Sequence, residues 1–262
     1  MPVLHNALPA MKSRVWPEPS ASTQHRSSSA APQIIQDVFP QSLAANDAFI
    51  RQGMSAIELR KLRELIMFAK PTRVLEIGMA NGTSSIVMAD ALRHSSHGTL
   101  TSIDPNQTKP TPQGYGSAGL KAVSSLMPSH RLIEDFDHVV LPQLAEKGET
   151  FDFILVDGFH SFDLTFLDIF YADKLLQSGG LLVCHDSSSP AVHKALRWLE
   201  RNKPYERLSP PLYTATATFF AKLWNRVFAR QERFQRQTQW QMLVAYCKQA
   251  EHQMPEHVLT DF

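Results

Sequence analysis

Cysteine is nearly absent from this chain of 262 residues: the two present, Cys184 and Cys247, are too few for a disulfide framework or a four-cysteine zinc site. Cys184 falls in an apolar run, where a buried thiol is the ordinary role, so a reducing compartment and a cytoplasmic location are expected. An excess of charge of one sign is missing too. With 26 Lys+Arg against 25 Asp+Glu the formal net charge is +1, which leaves no general basic field for gathering phosphates, and nucleic acid is not an expected partner. No uninterrupted apolar run approaches the roughly 18 residues that span a bilayer, and the first residues lack the apolar core of a secretory signal. What is present is 43% hydrophobic residues against 19% charged, below the ~25% charged of an average domain, and this excludes wholesale disorder.

Residues 1–33 hold Pro2, Pro9, Pro17, Pro19 and Pro32 among serines, too little apolar surface to offset the entropy of ordering, so a disordered arm is expected. Its Lys12, Arg14 and Arg26 resemble the charge of an organelle transit peptide, which the scattered prolines oppose. A domain over 34–222 follows. It opens with an amphipathic helix over Ser55–Ala69, stopped by Pro71. Short β-branched or aliphatic runs come next, at Arg73–Ile77, Thr99–Ile103, Arg131–Ile133, Phe151–Val156, Gly180–Cys184 and Thr214–Ala221. Helical patterns fill the gaps at Ser84–Arg93, Ser117–Met127, Val139–Lys147, Asp163–Leu176 and Ala191–Asn202. Strands alternating with helices imply a parallel sheet covered on both faces. Pro204, Pro210 and Pro211 suit a loop or antiparallel edge excursion before the last strand. Over 223–262 a helical extension is expected, with Arg226, Arg230 and Arg233 on what is ordinarily a solvated face.

Chemistry concentrates at strand ends. In Val74-Leu-Glu-Ile-Gly-Met-Ala-Asn-Gly-Thr-Ser-Ser85 a strand runs through small residues into a helix, a turn whose bare backbone can approach a ligand. It is not the dinucleotide G-x-G-x-x-G: Ala80 stands between Gly78 and Gly82, and Glu76 disfavours a pyrophosphate and suits a cation. Asp104 ends the next strand, where a carboxylate can accept both hydroxyls of a ribose. Ribose plus a cationic group points to S-adenosylmethionine. In Phe151-Asp-Phe-Ile-Leu-Val-Asp-Gly-Phe-His-Ser-Phe-Asp163 a strand ends in Asp157, with His160 in the following loop and Asp168 at helical distance; the next strand ends in His185 and Asp186. Each has an ordinary structural role as well: Glu76 and Asp104 suit helix or turn caps, His160 a loop imidazole, and Asp186 a capping acid before the helix near Ala191.

These motifs resemble the class I S-adenosylmethionine-dependent methyltransferases, in the branch of small-molecule O-methyltransferases related to the catechol type, over about residues 54–222. The resemblance implies an α/β fold with a Rossmann-like, doubly wound seven-strand sheet, mostly parallel with an antiparallel last strand. It assigns Glu76, Gly78, Ala80, Gly82 and Ser84 to the cofactor loop and Asp104 to the ribose. Phe136 stands at the adenine-reading position between Asp135 and Asp137, and Asp135 is taken as the cofactor ligand. Leu176-Gln-Ser-Gly-Gly180 matches the family turn L-x-P-G-G with Ser178 for proline, and the Asp157 segment matches D-G-x-H-S-Y-E with Phe162 for tyrosine. The expected chemistry is methyl transfer to a hydroxyl of a small molecule or glycosyl group. Asp157 and Asp186 would hold a divalent metal, Mg²⁺ by ligand type, with His160 as general base and Ser187 where catechol-type relatives carry an asparagine ligand. A homodimer is among the expected assemblies. The competing readings are a cofactor-binding module without catalysis and a nicotinamide oxidoreductase.

Overall fold

The computed structural model describes residues 53–208 and 242–251. The expected arm over 1–33 and the expected strand over 214–221 lie outside them. Seven strands, β1 (Arg73–Ile77), β2 (Thr99–Ile103), β3 (Arg131–Ile133), β4 (Phe151–Val156), β5 (Leu176–Cys184), β6 (Tyr205–Arg207) and β7 (Val244–Lys248), form one sheet in the order β3-β2-β1-β4-β5-β7-β6. Among the described residues six helices are interleaved: α1 (Ala56–Ala69), α2 (Thr83–Ser95), α3 (Ala118–Leu126), α4 (Asp137–Glu146), α5 (Phe162–Leu175) and α6 (Pro190–Asn202). Strands β1 to β5 pair in parallel, and β7 pairs antiparallel with both β5 and β6.

The double winding follows from side chains alternating across each strand. In β4, Phe153 and Leu155 face α1 to α3, together with Val74, Leu181 and Val183 of neighbouring strands. Ile154 and Val156 face the other way, joining Leu75, Leu182 and Cys184 against α4, α5 and α6. Both faces are buried, so these strands read as continuous apolar runs. Removing one such side chain, as in Leu155→Ala, costs roughly 2–5 kcal/mol.

Two sequence expectations change. The stretch over 223–262 is not helical throughout, because Val244–Lys248 is β7 and all five of its residues are buried. Leu176–Gly180, expected as a turn, belongs to β5, where the pairing with β4 shifts register between Phe151 and Phe153. The antiparallel last strand itself is present. It is β7, at Val244–Lys248.

Candidate active site

Helix α1 starts at the cap residue Ser55, in a reciprocal capping box with Glu58: the Ser55 N–H donates to Glu58 Oε2 at 2.8 Å and the Glu58 N–H donates to Ser55 Oγ at 3.4 Å. From α1 the chain enters β1 and the turn into α2. Gly78 is indispensable there: at φ +87, a Cβ would lie 2.1 Å from the Asp157 carbonyl oxygen. That bare contact draws the β1 turn against the end of β4, with the Asp157 N–H donating to the Ile77 carbonyl at 2.8 Å. Gly82, at φ 79, is the N-cap of α2.

Asp104 ties the same turn from the side. Its Oδ2 accepts from the N–H groups of Ala80 (2.8 Å) and Met79 (3.2 Å), and its Oδ1 from Asn106 (2.8 Å). A cavity of about 280 Å³ opens here, near the lower end of the ~300–1,000 Å³ of small-molecule sites. Gly78, Ala80, Ser84, Asp104, Asp157, His160 and Asp186 all line it. Every strand end expected to hold chemistry therefore converges on one space, at the carboxyl edge of the sheet.

Three expected residues do not line it. Glu76 is wholly buried behind the turn: Oε1 accepts from Ser84 Oγ at 2.6 Å, and Oε2 from Ser85 Oγ at 2.5 Å and Ser102 Oγ at 2.6 Å. Burial pushes its carboxyl up to about 7 against the pull of the three hydroxyls. Through these three hydroxyls it braces the loop from beneath. Gly82 acts through its backbone as the α2 cap. Asp135 caps locally, accepting from the Phe136 N–H at 2.7 Å. Its neighbour Asp137, the first residue of α4, lines the cavity instead.

Asp137 leads to an acid that motif reading noted without a role. Asp168 on α5 is wholly buried, and burial, together with the Asp137 carboxyl beside it, pushes its carboxyl up to about 8. Gly158 makes room for it, since a Cβ there would stand 3.1 Å from Asp168 Oδ2 and 3.5 Å from Asp137 Oδ2.

On the far wall, the His160 Nε2 is paired with Asp186 Oδ2. This contact raises the imidazole above its ordinary pKa, against the opposing pull of partial burial. Burial would push the Asp186 carboxyl up, but His160 and His185 outweigh it and hold it well below the usual range. His160 is half exposed, with 51% of its side chain reaching solvent, so a substrate proton is within its access. Asp186 sits at φ 51, a left-handed backbone that an Asp tolerates better than most residues. Asp157, His160 and Asp186 each present one ligating atom, and these lie within 4.8 Å of one another. Two carboxylates and an imidazole so grouped fit a divalent cation.

Glu58 was not among the expected site residues, and His185, at its strand end, was open as a third metal ligand. His185 lines the cavity and is 7% exposed, with Nδ1 2.9 Å from Asp157 Oδ1 and 3.4 Å from Asp186 Oδ2. Burial pulls its pKa down, and the carboxylates of Asp157, Asp186 and Glu58 more than reverse this, raising it well above the ordinary histidine value. The sequence signal for Glu58 was the S-x-x-E spacing from Ser55, which marks a helix start and says nothing of a site far away in the chain.

A doubly wound sheet with an antiparallel seventh strand, and a cavity where β1, β2, β4 and β5 end, defines the architecture of the class I methyltransferases. Residues 75–187, from within β1 to just past Asp186, match the family model described as a methyltransferase domain. No curated protein matches the sequence. Solved structures share the fold at low identity. An O-methyltransferase of Streptomyces achromogenes, involved in tomaymycin synthesis and solved with S-adenosylmethionine, is 15% identical over 84% of this chain and 92% of its own, with a TM-score of 0.59. The O-methyltransferase of Bacillus cereus, solved with S-adenosylhomocysteine, is 15% identical over 82% and 89%, at 0.55. A Podospora anserina methyltransferase, also bound to S-adenosylhomocysteine, is 14% identical over 95% and 98%, at 0.57. Among the described residues no helix is long and apolar enough to cross a membrane.

Proposed function

We propose that this chain transfers a methyl group from S-adenosylmethionine to a hydroxyl of a small molecule or glycosyl group, assisted by a divalent metal. The observation that carries the reading is the single cavity that brings the Gly78 turn and Asp104 opposite Asp157, His160 and Asp186. Gly78 presents backbone without a side chain, and the Asp104 carboxylate, fixed by three N–H groups, keeps one of its roughly four acceptor positions for a ribose hydroxyl. Bound there, S-adenosylmethionine supplies a methyl on a sulfonium, and the acceptor oxygen forms its bond to carbon as the carbon–sulfur bond breaks. Asp157 and Asp186 are the residues to hold the cation, which supplies Lewis acidity toward the acceptor hydroxyl. With Nε2 paired to Asp186, His160 takes the hydroxyl proton on Nδ1, and Asp186 stabilises the imidazolium that results. The oxygen donors favour Mg²⁺. The reading also includes a cytoplasmic enzyme, no nucleic-acid partner, and a homodimer, for which gel filtration with light scattering is the check.

Calorimetric titration of the full chain tests the cofactor. S-adenosylmethionine and S-adenosylhomocysteine should bind and NAD should not, and Asp104→Ala should weaken binding by about 1–3 kcal/mol through a ribose hydroxyl left unpaired. Binding of NAD alone would sink the reading. Tight cofactor binding with no turnover of any hydroxylated acceptor, with Mg²⁺ present, would favour the non-catalytic module.

A further inference from the structure

The proposed metal pair rests on a support that begins in another part of the chain. Glu58 lies in the first turn of α1 and is 3% exposed. Its Oε2 is occupied by Ser55, through the N–H at 2.8 Å and Oγ at 2.7 Å. Its Oε1 accepts from the Met242 N–H at 2.6 Å, just before β7, and stands 3.5 Å from His185 Nε2. That nitrogen is buried and makes no hydrogen bond among the described residues, so at 3.5 Å the contact with Glu58 is chiefly electrostatic. On its other side the ring meets Asp157 at 2.9 Å and Asp186 at 3.4 Å. One imidazole therefore stands between a buried carboxylate, anchored to α1 and β7, and the two carboxylates that face the cavity. A buried acid with both oxygens occupied is an immobile reference point. The ring held against it fixes the rotamers of Asp157 and Asp186, whose mutual repulsion would otherwise spread them apart.

We infer that Glu58 and His185 are positioning residues that set the Asp157–Asp186 separation for a divalent cation, so that the seating of α1 and of the segment at Met242 governs metal affinity. This rests on the metal reading above, touches no substrate, and assigns neither residue a role in the reaction itself. Partners that orient ligating carboxylates commonly affect metal affinity by about 10–100-fold.

Mn²⁺ is the probe, its binding to the full chain followed by electron paramagnetic resonance, with calorimetry of S-adenosylmethionine in parallel. Wild type should bind Mn²⁺ and Asp157→Asn should lose it. Glu58→Gln, which keeps shape and an acceptor for Met242, should weaken Mn²⁺ binding by about 10–100-fold while cofactor affinity changes less than about twofold. His185→Asn, which can still donate to Asp157, should lose less than His185→Ala. A folded Glu58→Gln protein that binds Mn²⁺ like wild type overturns this inference alone. Equal loss of cofactor and metal affinity also overturns it, as general disruption. Wild type that binds no Mn²⁺ overturns the metal reading and this inference with it.

Discussion

The two walls of the cavity treat their carboxylates differently. At the ends of β1 and β2, Glu76 takes three hydroxyl donors and Asp104 three backbone N–H groups, and no cationic side chain among the described residues bonds to either. At the ends of β4 and β5, Asp157 and Asp186 face each other across two histidines, one of them half exposed. The first wall spends its acids on holding a loop still. The second leaves charge partly exposed and compensated only by groups that can change protonation, which is what proton transfer or metal binding requires. A satisfied buried acid shapes a site, and a less satisfied one reacts.

The comparison breaks most sharply at His160. His160→Ala should lower kcat by about 10²–10⁴-fold with S-adenosylmethionine affinity nearly unchanged, because the ring belongs to the reacting wall only. Steady-state kinetics beside calorimetry check this, and an unimpaired variant would remove the base. Gly78→Ala attacks the contact between the walls. A Cβ 2.1 Å from a backbone oxygen, at φ +87, should cost about 3 kcal/mol and displace Asp157, read as a lower urea midpoint together with weakened cofactor binding. Wild-type stability would show that the two walls can separate freely.

On the first wall, Glu76→Gln should destabilise by about 1–3 kcal/mol, since one amide nitrogen then faces hydroxyls that had been donating to it. Its effect on kcat should be small next to that of His160→Ala. The smallest effect has the opposite sign. Asp168 keeps its proton to about 8 in the folded chain, whereas the unfolded chain releases it near the ordinary 3.8, so stability falls as pH rises between these values and is flat beyond. Asp168→Asn should remove that contribution to the slope and stabilise the protein at pH 8 by about 1–2 kcal/mol. Denaturant melts at pH 5 and 8 check it, and an unchanged difference between the two would place the proton elsewhere.

The strand ends were legible because parallel β-α repeats leave a strong local pattern: an apolar run, a small or acidic residue, then a helix. Asp104, Asp157, His160 and Asp186 were all found in this way, and all line the cavity. Side-chain direction was not legible at single-residue scale. Asp135 and Asp137 differ by half a turn's geometry at the start of α4, and only Asp137 faces inward. Glu76 bears the acid of the motif but turns it into the packing under the loop. The run Leu243–Cys247 has no alternation because β7 is covered on both faces, so its periodicity could not separate strand from helix. Glu58 and His185 meet across most of the domain, a pairing that no short-range spacing encodes.

The position of β7 also sets an order of assembly. It lies between β5 and β6 in the sheet, yet both precede it along the chain, with residues 208–243 intervening before it. As the chain is synthesised, β6 has no neighbour to pair with, and the β5 edge stays open until β7 is threaded between them. Since Met242 delivers its N–H to Glu58, the same late insertion completes the support beneath Asp157 and Asp186. A nascent chain stalled before β7 would present an unpaired apolar edge, the kind of surface that recruits chaperones, and non-local pairings of this sort slow folding. Competence of the site is thereby coupled to the synthesis and insertion of β7.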